Sequence, residues 1–147
     1  DVRLLKVPPR RDDWEQQSGD TLDNTAHELY APGSILRVLV DATHPVGFGM
    51  PDTAAVYFTN SVTFDVPTSS PVRVIARYPA RGDDILLSGF LEGSPSIAGK
   101  AAAIEASVGR GRVVMFGFRP QYRGQSYGTF RMLFNALLNG GNAAGRR

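Results

Sequence analysis

The chain has 147 residues, a net charge of +2 from 16 basic and 14 acidic residues, and no cysteine. This length is typical of one domain. A composition of 42% hydrophobic and 20% charged residues excludes a disordered chain and a coiled coil. The lack of cysteine excludes disulfide scaffolds, thiolate zinc sites and cysteine nucleophiles. The apolar runs are far shorter than the ~18 residues of a transmembrane helix, so no membrane span is predicted.

The charges and the histidines argue against nucleic-acid binding and against a histidine-based metal site. Basic residues are scattered, and the aromatic residues do not alternate with a basic stripe, so nucleic-acid binding is not predicted. His27 and His44 are the only histidines in the sequence, which leaves little for a histidine-based metal site.

Residues 1–30 are predicted to form an irregular N-terminal arm or linker. Residues 2–7 are a candidate short strand, and Pro8-Pro9 ends it because proline has no N–H to donate. The stretch 10–24 is almost entirely polar, and residues 22–30 could form one or two helical turns.

Strand patterns begin after Pro32-Gly33. The nearly continuous apolar run 35–40 is typical of a strand buried on both faces. Four shorter stretches also have strand character: 54–59, 62–66, 72–78 and 84–90. The alternation within 72–78 places Arg73 and Arg77 on the face opposite its apolar residues.

The strongest local signals lie in the last third of the chain. Two β-type runs, 101–108 and 112–118, flank Gly109-Arg110-Gly111 and predict a β-hairpin. Residues 127–139 predict an amphipathic helix, capped by Ser126 or Thr129 and ended by Asn139-Gly140-Gly141. The face predicted to pack on the sheet consists of Phe130, Leu133, Phe134, Leu137 and Leu138.

These elements predict the fold class. Six or seven strands with one or two helices indicate an α/β fold, or α+β for the isolated chain, with a mixed β-sheet, a β-hairpin and a C-terminal amphipathic helix. A complete doubly wound domain alternates strands and helices. The excess of strands therefore favours part of an α/β domain.

Familiar catalytic motifs are absent from the sequence. It contains no P-loop, dinucleotide-binding glycine motif, His-Glu-x-x-His or Gly-x-Ser-x-Gly. The serine clusters at 69–70 and 94–96 have no histidine nearby in sequence, so a serine triad is not favoured. Asp83-Asp84 is interpreted as a charged turn, because adjacent strand residues point to opposite faces.

Two places are candidate binding sites. His44 follows the most apolar strand, where ligands gather in open α/β sheets; the alternative is a structural turn in which the imidazole bonds a backbone carbonyl. The loop before the helix combines guanidinium groups with free helix N–H groups, a combination that favours an anion or a carboxylate. Alternatively, its arginines hold the loop to backbone carbonyls or to a partner domain. The loop candidates are Arg119, Gln121, Tyr122 and Arg123.

The same loop carries a resemblance to a known family. The stretch 108–118 (VGRGRVVMFGF), followed by Arg-Pro-Gln-x-Arg-Gly and a helix containing 133–137 (LFNAL), resembles the closing segment of a class I glutamine amidotransferase-like (flavodoxin-like) domain. More narrowly, it is similar to the version appended to bacterial zinc carboxypeptidases of the A/T type. Other segments are also similar to that version: 31–38 with Asp41-x-x-His-Pro45 and Gly49-Met-Pro51, and 87–91 with 98–101. The resemblance covers roughly residues 30–140.

Departures from the family pattern imply that this chain is catalytically silent. Phe118-Arg-Pro-Gln121 is similar to the family's Phe-His-Pro-Glu. Arg119 at the base position stays protonated, Gln121 at the acidic position cannot hold a charge, and the cysteine nucleophile is missing. Neither His27 nor His44 matches the carboxypeptidase zinc motif. Zinc is therefore expected in a parent catalytic domain, and no cofactor is expected in this chain.

The resemblance implies an accessory role. Residues 31–141 are expected to be an amidotransferase-like accessory domain, or its second half, with a polar tail at 142–147. The function implied is that of a non-catalytic part of a bacterial zinc metallocarboxypeptidase, which hydrolyses peptide bonds outside the cell or in the periplasm. Its partner would be the upstream catalytic domain or the rest of the parent chain, and a first residue other than Met is expected to lie inside that chain.

Two alternatives stay open. One is a stand-alone binding module of the same fold, for carbohydrate or another polar ligand. The other is a hydrolase assembled with a partner chain. An upstream His-x-x-Glu segment would separate the accessory role from the binding module.

Overall fold

An antiparallel sheet and a C-terminal helix make up the part of the chain that the structure, a computed structural model, describes: residues 3–6 and 29–142. The strands are β1 Arg3–Lys6, β2 Ser34–Val40, β3 Thr53–Phe58, β4 Val62–Asp65, β5 Arg73–Arg77, β6 Leu86–Ser88, β7 Ala101–Val108 and β8 Gly111–Phe116. Three short 3-10 turns occupy Gly82–Asp84, Ser94–Ser96 and Tyr122–Gly124. The helix α1 spans Tyr127–Asn142. Most of the predicted arm, with the candidate turns at 22–30, and most of the predicted tail lie outside the described residues.

The strands form one sheet in the order β1-β4-β7-β5-β2-β3. β8 also pairs with β7, and β6 also pairs with β2. Every pairing among the described strands is antiparallel. The predicted mixed sheet is therefore wrong for these strands, and the α+β form of the prediction is the one confirmed. The physical reason is that parallel neighbours need long crossovers, usually helical, whereas α1 follows the last strand.

The two strongest local predictions are confirmed. β7 and β8 form a hairpin in which Val108 faces Gly111, and Gly109 takes φ +58° at the first turn position. A positive φ there is the conformation that glycine adopts without strain. α1 begins where predicted but continues through Gly140 to Asn142, because a glycine in a helix costs only about 1 kcal/mol relative to alanine.

Two strand predictions need correction. β2 is not buried on both faces: Ser34, Leu36, Val38 and Val40 are buried, but Leu39 is exposed. This alternation is typical of an antiparallel sheet with one solvated face. The stretch 84–90 contains only the three-residue β6, because the chain first makes a 3-10 turn at Gly82–Asp84.

The helix packs on the sheet through a stripe that the apolar pattern did not indicate. Thr129 and Met132 are fully buried, and Ala136 packs against the main core. The side-chain amide of Asn135 donates to the carbonyls of Val46 (3.1 Å) and Phe48 (2.9 Å). These contacts fix α1 over the turn that follows β2.

The predicted core face of α1 is therefore largely wrong. Phe134, Leu137 and Leu138 are 55%, 65% and 70% exposed, while Phe130 and Leu133 are partly buried. Helix period alone cannot tell which part of a wide apolar face meets the sheet, because small and polar residues can line the contact. In this chain Thr129, Asn135 and Ala136 do so.

Candidate functional site

Arg119 fastens the predicted loop to the end of β3. Its backbone N–H donates to the carbonyl of Tyr57 (3.0 Å), and its Nε donates to the carbonyl of Thr59 (3.3 Å). The side chain is otherwise exposed. Arg119 thus makes a contact with a backbone carbonyl, as the structural interpretation of this loop requires.

Tyr122 holds the middle of the same loop. Its ring lies 4.3 Å from the ring of Tyr57, and the guanidinium carbon of Arg123 lies 5.1 Å from the centre of the Tyr122 ring. The Tyr122 N–H donates to the hydroxyl of Ser126 (3.0 Å), so that hydroxyl holds the loop rather than capping the first turn of α1. Arg119, Tyr122 and Arg123 therefore share one surface beside β3, where Gln121 is exposed.

His44 belongs to a different place. It is fully buried in the turn after β2, and its Nδ1 accepts the N–H of Val46 (3.1 Å) rather than bonding a carbonyl. Because Nδ1 is an acceptor, the neutral ring carries its proton on Nε2. That Nε2 faces the carboxylate of Glu105, with His44 Nε2 to Glu105 Oε1 at 3.7 Å.

Glu105 is the functional candidate that sequence reasoning missed. It is only 4% exposed and lies in the middle of β7, directly opposite Arg73 on β5. Its Oε1 is 3.7 Å from Arg73 Nη1, and its Oε2 is 3.8 Å from Arg112 Nη1. These distances exceed those of direct hydrogen bonds. Oε2 is buried without a hydrogen-bond partner in the structure.

A cavity of about 300 Å³ opens above this carboxylate, between the β7–β8 hairpin and α1. We call it the Glu105 cavity. Glu105 and Arg112 are its charged lining residues, and Asn139 and Gly140 lie at one end. Its apolar walls are Val114, Phe116, Leu133, Ala136 and Leu137. A carboxylate and a guanidinium beside apolar walls can orient a small amphipathic molecule, which makes this a binding geometry.

One sequence signal could have found this site. Glu105 is the only charged residue in the β7 sequence AAAIEASV. A lone carboxylate in a strand that is otherwise small and apolar must face water or, if the strand is buried, a polar partner. Arg112 lies on the partner strand of the predicted hairpin, whereas Arg73 became visible as a partner only with the sheet order.

Burial lowers the pKa of His44, and the nearby Arg73 lowers it further, while Glu105 and Asp41 act in the opposite direction. The folded state therefore favours the neutral imidazole. We expect stability to be fully present above pH ~6.5, the ordinary histidine value, and to fall as the pH drops below it. The loss from one proton cannot exceed about 1.4 kcal/mol per pH unit.

Urea unfolding at a series of pH values between 7.5 and 5 measures this loss. His44→Gln should flatten the pH dependence of the free energy of unfolding. If His44→Gln keeps the pH dependence of the unmodified chain, His44 is not the group responsible.

Comparisons of this chain with protein-family models, curated proteins and solved structures find no match. The resemblance to amidotransferase-like domains therefore rests on the quoted residues alone. Within the described part of the chain, no group of three or more His, Cys, Asp or Glu residues is arranged to hold a metal ion. No helix there is long and apolar enough to cross a membrane.

Proposed function

We propose that this chain is a non-catalytic accessory domain of a bacterial zinc metallocarboxypeptidase, extracellular or periplasmic, that contacts the catalytic part of its parent through α1. Zinc and peptide-bond hydrolysis would belong to that catalytic part. The observation that carries the proposal is an exposed apolar stripe on α1. The type of parent protein is inferred from the sequence resemblance of the hairpin, the loop before α1 and α1 itself to domains appended to zinc carboxypeptidases.

The stripe consists of Tyr127, Phe134 and Leu138, which are seven and four residues apart and so lie along one side of the helix. Each is more than half exposed. Phe130 links them, with ring centres 5.4 Å from Tyr127 and 6.3 Å from Phe134. Contiguous exposed apolar and aromatic surface of this kind is typical of protein contact sites.

The residues at the family's catalytic positions support a silent role. Arg119 stands where the family has its base, and a guanidinium remains protonated. Its Nε is also engaged with the carbonyl of Thr59. Gln121 is exposed and uncharged at the position of the acidic residue. This loop suits structural support better than proton transfer.

The first test is the upstream reading frame. A His-x-x-Glu segment followed by a later histidine is expected there. Its absence would contradict the carboxypeptidase assignment, and an initiator Met or signal peptide directly before residue 1 would favour the stand-alone binding module.

The second test measures binding between this chain and the separately produced catalytic part by calorimetry. Leu138→Asp and Phe134→Asp should weaken binding by at least about tenfold, because a charge would be desolvated at the contact. The matched control is Leu87→Asp, an exposed leucine on β6. Equal effects of all three variants would show that α1 is not the contact surface.

A further inference from the structure

We propose that the Glu105 cavity binds a small neutral amphiphile whose hydroxyl or carboxamide group lies between Glu105 and Arg112. This binding is separate from the accessory role and does not depend on it. The proposed binding gives a role to Glu105, a buried carboxylate whose Oε2 has no hydrogen-bond partner among the described residues.

The side chains of Glu105 and Arg112 define where the polar head group of the ligand would lie. Glu105 lines the cavity, and its Oε2 is buried with no hydrogen-bond partner among the described residues. Arg112 Nη1 lies 3.8 Å from that oxygen, and Arg112 Nη2 makes only long contacts, 3.4 Å, with the backbone and side-chain oxygens of Asn139. A buried acceptor without a partner is costly, and more so when it is charged. A ligand group that donates to this carboxylate offsets the cost.

The charges around the cavity select a neutral head. Arg73 and Arg112 carry two positive charges, and Glu105 carries one negative charge. Burial keeps His44 neutral by lowering its pKa. An ammonium group would meet the two guanidinium groups, and a carboxylate would meet the carboxylate of Glu105. A hydroxyl or a carboxamide can both donate to Glu105 and accept from Arg112.

The apolar residues that line the cavity favour a ligand whose apolar part is small. Val114 and Phe116 come from β8, while Leu133, Ala136 and Leu137 come from α1. The volume of about 300 Å³ is at the lower end of the roughly 300–1,000 Å³ of small-molecule sites. A single ring or a short branched chain fits these dimensions better than an extended molecule.

Nuclear magnetic resonance titration of the full chain tests the proposal with five probes on one ring: benzyl alcohol, benzamide, toluene, benzylamine and benzoate. Benzyl alcohol and benzamide should shift the signals of Val114, Phe116, Leu133 and Leu137 saturably. They should bind about tenfold more tightly than toluene, because only they can bond the buried carboxylate. Benzylamine and benzoate should bind more weakly than the two neutral polar probes.

Three variants test whether the probes bind in the Glu105 cavity. Glu105→Gln should weaken benzyl alcohol about fivefold or more and leave toluene unchanged, because a charged acceptor becomes a neutral one. Ala136→Leu should abolish binding of both probes by filling the cavity. Leu138→Ala, on the outer side of α1, should change neither.

The outcomes decide the proposal even if Glu105→Gln fails to fold, because the probe series uses the unmodified chain. Toluene binding as tightly as benzyl alcohol would overturn the role of Glu105. Tighter binding of either charged probe would overturn the neutral head. The lack of saturable shifts at the wall residues would overturn the site itself.

Discussion

Gly117→Ala is expected to destabilise the protein by about 3 kcal/mol or more, because the added methyl group has no room. A Cβ at this position would lie 2.2 Å from the carbonyl oxygen of Val62 and 3.1 Å from that of Ala102. Both neighbours are backbone atoms, so no side chain can rotate away. Gly117 is also held in place by its own N–H, which donates to the carbonyl of Ala102 (2.7 Å).

Gly140→Ala is the matched control, since nothing lies within 4 Å of a Cβ at residue 140 of α1. There the substitution should stabilise the protein by up to about 1 kcal/mol, because alanine is a better helix former than glycine. Chemical denaturation measures both variants. If Gly117→Ala unfolds at the same denaturant concentration as the unmodified chain, the close approach of residue 117 to β4 is wrong.

Met132→Ala is expected to cost about 2–5 kcal/mol, the range for removing a long buried side chain from a core. Met132 is fully buried and is the side chain through which α1 enters the main core. Leu138→Ala, by contrast, should change the free energy of unfolding by no more than about 0.5 kcal/mol, because the side chain is exposed.

Comparing Met132→Ala with Leu138→Ala tests which side of α1 faces the sheet. The helix pattern alone predicts Leu138 in the core, so it predicts a large loss at that position. Denaturation of the two variants separates the alternatives directly. A costly Leu138→Ala with a harmless Met132→Ala would mean that the opposite side of α1 faces the sheet.

The parts of the fold that the sequence predicts are those set by neighbouring residues. The turn glycine at 109 and the apolar runs beside it define the hairpin, and the helical period with its start signals defines α1. The order of the strands is different. β4, β5 and β8 all meet β7, and no local pattern encodes which distant strands become neighbours.

The residues of the candidate sites also divide into those that local sequence predicts and those that only the order of the strands brings together. Arg119, Gln121, Tyr122 and Arg123 were found because they are adjacent in the sequence and stay adjacent in the fold. Glu105 was missed because its neighbours His44, Arg73 and Arg112 come from three separate segments. Arg112 lies on the other strand of the predicted hairpin, but only the order of the sheet brings Arg73 and His44 to Glu105 in the interior.

The sheet order also has a consequence for how the chain folds. β1 pairs with β4, β4 with β7 and β2 with β5, so most of the sheet forms only after long loops close. Asn135 reaches carbonyls 87 and 89 residues earlier in the chain. Topologies dominated by such distant contacts fold in milliseconds to seconds, whereas a hairpin forms in about 1–10 μs. The β7–β8 hairpin is thus the natural early unit, and α1 can dock only once the turn after β2 is in place.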